Sequence, residues 1–156
     1  MTVFHPACLR VDSGADGLSA PSAGWWVDAG FNPLLWSRAF YPVCWVYNRV
    51  PGYEFVELTG TPVFLQAGAA DQYDDPDSCQ KLVDSLSAAD RPHLSLTVYP
   101  EATHGWDRLE PAIQVTDPYS HTGKGGLVDI APSPETARTS RRAVVDFFKK
   151  AFAPAP

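Results

Sequence analysis

The clearest hydrophobic signal in the chain is the apolar run from Pro62 to Ala67. A run of that length, without polar alternation, predicts a strand covered on both faces, as parallel sheets require. His93 to Tyr99 follows a different rule. Leu94, Leu96 and Val98 alternate with Ser95 and Thr97, which predicts an edge strand with one face less buried. Between the two, residues 76–89 set Leu82, Val83 and Leu86 along one side of a helix, with Asp75 or Asp77 at its start. Arg38 to Cys44 is a further candidate strand with Pro42 near its end, and residues 45–60 read as a loop with a turn at Pro51-Gly52. Ser133-Pro134-Glu135 opens a closing helix with a capping residue, a first-turn proline and an acid. Ala143, Val144, Phe147, Phe148 and Phe152 give that helix an apolar stripe.

Two stretches lack a period. Residues 107–133 read as a long excursion that includes Gly123-Lys124-Gly125-Gly126, a flexible loop without the leading glycine and trailing Ser/Thr of a phosphate-binding loop. In residues 1–37, Gly, Ser, Ala and Pro crowd positions 13–24, a loop-like composition. The order strand–helix–strand–helix with long crossovers implies parallel pairing. The expected fold is therefore one α/β domain over residues 1–156, with a small parallel sheet of about three strands flanked by helices.

Composition narrows the class of function. A net charge of -6 speaks against a nucleic-acid surface, because phosphate binding needs clustered cations. The basic groups Arg138/Arg141/Arg142 and Lys149/Lys150 fall on the closing helix and are expected to form a solvated face. No apolar run approaches the ~20 residues that span a bilayer, so no membrane partner is expected. The first residues lack the basic and apolar regions of a signal peptide. The expected location is cytoplasmic, or exported if an upstream segment is missing. Cys8, Cys44 and Cys79 match no zinc module. Cys44 and Cys79 are both expected near the sheet's carboxyl edge, as free buried thiols, with a disulfide the alternative in an oxidising compartment.

In parallel sheets polar chemistry gathers beyond the carboxyl ends of the strands. Asp71 follows the first run and His104 follows the second. A carboxylate and an imidazole at neighbouring strand ends are two thirds of a nucleophile–His–Asp triad. The alternative for Asp71 is a helix cap, or one ligand of a calcium site with Asp74, Asp75 and Asp77, although this cluster lacks the glycine and distal glutamate of an EF-hand loop. The alternative for His104 is a loop histidine held by local hydrogen bonds.

Phe40-Tyr41-Pro42-Val43-Cys44, Thr61 to Tyr73 with its Gly68-Ala-Ala-Asp71 element, and Val98 to Asp107 with His104-Gly105-Trp106-Asp107 together resemble the dienelactone hydrolase family of α/β-hydrolases. The likeness covers about residues 38–152, the carboxyl-terminal part of such a fold. It implies Asp71 as triad acid, His104 as triad base, and carboxylic esters or lactones as substrates, with no cofactor. Tyr73 and Trp106, beside these residues, are candidates for the walls of the substrate pocket. The family's Gly-x-Cys/Ser-x-Gly-Gly elbow has no counterpart here. Gly17-Leu18-Ser19-Ala20-Pro21 is the nearest string, which makes Ser19 the candidate nucleophile and Ser22 a weaker one. The chain thus reads as a partial hydrolase, truncated or with a scrambled upstream segment. Strand Arg38–Cys44 is left with an open edge that favours a homodimer. A second expectation is an inactive fragment or binding module that keeps the acid–base half and binds without turnover.

Overall fold

The computed structural model describes residues 37–151. Three parallel strands, β1 (Ser37–Phe40), β2 (Val63–Gly68) and β3 (Leu94–Tyr99), form a sheet in the order β1-β2-β3. The register runs Ser37↔Val63↔Leu94 at one end to Gly68↔Tyr99 at the other. β2, the apolar run, is the central strand and is buried along its whole length. β3 is an edge strand with a mixed burial pattern, as its alternation predicts.

Helices cover both faces of β2. Val63, Leu65 and Ala67 pack with Cys79, Leu82 and Leu86, which bring α1 (Ser78–Ser85) and the residue after it onto one face. On the other face Phe64 meets Phe147 of α3 (Pro134–Ala151), ring centroids 5.3 Å apart. Ser133 caps α3: its Oγ accepts the Thr136 N–H and its carbonyl the Ala137 N–H. The fold is mixed α/β, a small parallel sheet with helices, as expected.

Three details differ from the sequence reading. β1 stops at Phe40, because Tyr41 takes a left-handed backbone conformation (φ 39°) that a strand cannot continue through. The chain then makes a 3-10 turn at Cys44–Val46. Residues 107–133 are not irregular throughout. β4 (Ile113–Asp117) and β5 (Gly126–Ile130) form an antiparallel pair, joined through a tight turn that includes α2 (Ser120–Gly123). His121 and Thr122 both sit at positive φ in that turn. Thirdly, Cys44 and Cys79 are joined in a disulfide with Cα atoms 5.0 Å apart, not free thiols. The 3-10 turn aims Cys44 at the first turn of α1, within the distance a disulfide spans.

Candidate active site

The loops after β2 and β3 are sewn together by main-chain hydrogen bonds. Ala69 N–H donates to Tyr99 O (2.9 Å) and Ala70 N–H to Ala102 O (3.1 Å). The approach is so close that a Cβ at Gly68 would lie 2.1 Å from Ala102 O, so only glycine fits. Gly105 turns the second loop at φ +70°. That loop is also anchored from below. Thr103 Oγ1 donates to Ala131 O and accepts the Ala131 N–H, and Trp106 O accepts the Ser133 N–H at 2.8 Å. Both ends of the excursion through β4 and β5 are thereby tied beneath His104.

This stitching brings Asp71 and His104 together. His104 Nδ1 lies 2.8 Å from Asp71 Oδ2, while Asp71 Oδ1 accepts the Tyr73 N–H at 2.9 Å. Asp71 is 6% exposed, and the His104 side chain keeps a 23% exposed face. With the carboxylate as acceptor, Nδ1 is the donor, and in the neutral ring Nε2 then carries the lone pair. Among the described residues Nε2 has no hydrogen-bond partner.

Two tyrosines hold the imidazole from its sides. The rings of Tyr41 and Tyr73 each lie 4.6 Å from the His104 ring, centroid to centroid. The tyrosines are themselves fixed: Tyr73 OH donates to Asp117 Oδ2 (2.9 Å) and Tyr41 OH to Asp107 Oδ1 (3.3 Å). Burial, followed by the Asp117 bond and charge, pushes the Tyr73 hydroxyl up to about 12, so it stays a donor at physiological pH. Burial, with help from Asp107, also raises the Tyr41 hydroxyl. The hairpin turn completes the frame: His121 N–H donates to Gln72 O and Thr122 N–H to Tyr73 O. Tyr41 and Asp117 are site residues that the sequence reading missed. Tyr41's signal was its place just past a parallel strand's carboxyl end, where Asp71 and His104 also lie.

Tyr73 meets the imidazole directly, whereas Trp106 belongs to the core. It is fully buried, bonds Ser140 Oγ of α3 through Nε1 (3.1 Å), and packs against Phe40, Tyr41 and Tyr99. It supports the floor of the site and is not a pocket wall, because Gly105 turns the chain inward between it and His104. Ser19, Ser22 and Cys8 lie outside the described residues. The calcium alternative does not hold either. Asp71 is committed to His104, Asp74 to the N–H groups of Cys44 and Trp45, and Asp77 to Lys81. Among the described residues these carboxylates do not converge. Burial raises Asp74 to about 6 despite its two backbone donors.

No helix among the described residues is long and apolar enough to cross a membrane. No family model, curated protein or solved structure matches the chain.

Proposed function

We propose that this chain is of dienelactone hydrolase type within the α/β-hydrolases and that it cleaves carboxylic esters or lactones through a nucleophile–His104–Asp71 site. The observation that carries the reading is the 2.8 Å contact of His104 Nδ1 with buried Asp71, which leaves Nε2 available. In this mechanism Nε2 takes the proton of a hydroxyl or thiol as it attacks the ester carbonyl. Asp71 stabilises the imidazolium that forms. His104 returns the proton to the departing alkoxide, then activates the water that cleaves the acyl-enzyme. Tyr41 and Tyr73 keep the ring in plane for both transfers. The nucleophile belongs to the segment before residue 37, with Ser19 the candidate.

The test is a fluorophosphonate serine probe read by intact mass on the native chain and on His104→Ala and Asp71→Asn. We expect one adduct on the native chain, mapped to Ser19. Labelling should be absent in His104→Ala and slowed by about 10³-fold or more in Asp71→Asn, as triad lesions do. No adduct on the native chain rejects a serine-hydrolase reading. The second reading, binding without turnover, is favoured by the missing Gly-x-Cys/Ser-x-Gly-Gly elbow. It predicts saturable binding of a small carboxylate, seen by calorimetry and lost in His104→Ala, with no adduct.

A further inference from the structure

Apart from the Asp71–His104 pair, one cluster among the described residues gathers metal-ligating atoms. Cys44 Sγ, Cys79 Sγ and an Asp74 carboxylate oxygen all lie within 4.8 Å of one another. The two cysteines are 2% and 4% exposed. Asp74 is oriented in advance, because Oδ2 accepts the Cys44 N–H and Oδ1 the Trp45 N–H. Main chain thus supplies the outer hydrogen bonds that fix a ligating carboxylate. The cleft beside the cluster is lined by Cys44 together with Arg49 and Lys81. It offers the Cys44 side of the cluster a path from solvent.

We propose that the reduced chain binds one zinc-type divalent cation through Cys44, Cys79 and Asp74, and that the disulfide is the metal-free, oxidised state of the same site. Two thiolates and one carboxylate suit a borderline-soft ion in a tetrahedral shell, not calcium or magnesium, which require oxygen. Three protein ligands leave the fourth position to water. The step balances simply. A dithiol reductant gives two electrons and two protons to the Sγ–Sγ bond, yielding two thiols and its own cyclic disulfide. The cation then replaces the two thiol protons, which pass to solvent. For zinc–sulfur bonds of ~2.3 Å the sulfurs part to ~3.7 Å, a distance side-chain rotation reaches. Either state clips the 3-10 turn to α1. The disulfide suits an oxidising compartment and the metal a reducing one.

The test uses the full chain carrying Cys8→Ser, reduced with dithiothreitol, desalted without oxygen and titrated with cobalt(II). We expect a thiolate-to-cobalt charge-transfer band saturating at one ion per chain. The band should be absent from the oxidised chain and lost in Cys79→Ser. Affinity should fall about tenfold or more in Asp74→Asn, and zinc should displace the cobalt. Circular dichroism on each sample tracks the fold. No band on the reduced chain, folded or not, overturns the proposal. So does a band that survives Cys79→Ser, or one whose affinity Asp74→Asn leaves unchanged.

Discussion

At the scale of single residues, Asp74 shows how burial and hydrogen bonding compete. The Cys44 and Trp45 N–H groups and the Ser78 hydroxyl favour its charged form, yet burial outweighs them and lifts it from 3.8 to about 6. A carboxyl raised in the folded state contributes stability that is full below the unfolded value and is lost as pH rises through 6. The size follows from about 1.4 kcal/mol per pH unit, so roughly 3 kcal/mol is at stake. In the oxidised chain, the stability of the native protein relative to Asp74→Asn should therefore fall by about that amount between pH 4 and pH 7, measured by urea unfolding at each pH. A flat difference would mean that the backbone donors, not burial, control this group. The His104 ring illustrates a different economy of position. One hydrogen bond fixes its direction, while two aromatic faces fix its plane. Tyr41 reaches it only by adopting a left-handed backbone, a strained conformation of the kind found where a side chain must be aimed.

At the scale of elements, the site depends on how closely the ends of β2 and β3 approach. Gly68→Ala would push a methyl into Ala102 O. We expect a loss of about 1–3 kcal/mol in unfolding free energy, as overpacking costs, together with loss of the Asp71–His104 bond, visible as a change in the Nδ1 proton resonance. Such parallel strand ends are the part of the fold most legible in sequence. An apolar run, a helical stripe and an alternating run dictate β2, α1 and β3, and their topology puts Asp71 and His104 at one edge. The β4–β5 pair was less legible, since each strand has only five residues and a glycine-rich turn reads as loop. Trp106 lies in the core although His104, two residues before it, keeps a partly exposed face, and a linear sequence does not show that Gly105 turns the chain between them. The Cys44–Cys79 pairing was legible as one of two states, but the choice of disulfide over free thiols was not. The bond depends on where Tyr41 breaks β1, which no local pattern announces.

At the scale of the whole molecule, the Cys44–Cys79 bond is the one covalent cross-link among the described residues, and it spans a sequence separation of 35. In the chain-entropy view, closing a loop of that length stabilises the fold by about 4 kcal/mol. Reduction in metal-free buffer should lower the urea midpoint by a corresponding amount. Since Tyr41 and Tyr73 lie just upstream of the two cysteines, the aromatic protons around His104 should broaden as well. An unchanged midpoint would show that packing of Leu82 and Leu86 against β2 suffices without the bond.

The contacts that join Asp71 to His104's loop run through the carbonyls of Tyr99 and Ala102, and a carbonyl is common to every amino acid. The pair's alignment is therefore insulated from much of the sequence around it. Position 99 can drift among side chains that fit without disturbing the pair, while Gly68 is held by the Ala102 carbonyl and Gly105 by its positive φ and the crowding of Arg108 and Ile130. Across a lineage, such a site would keep its shape while its surroundings diverged, leaving two glycines, an acid and a histidine as its most durable trace.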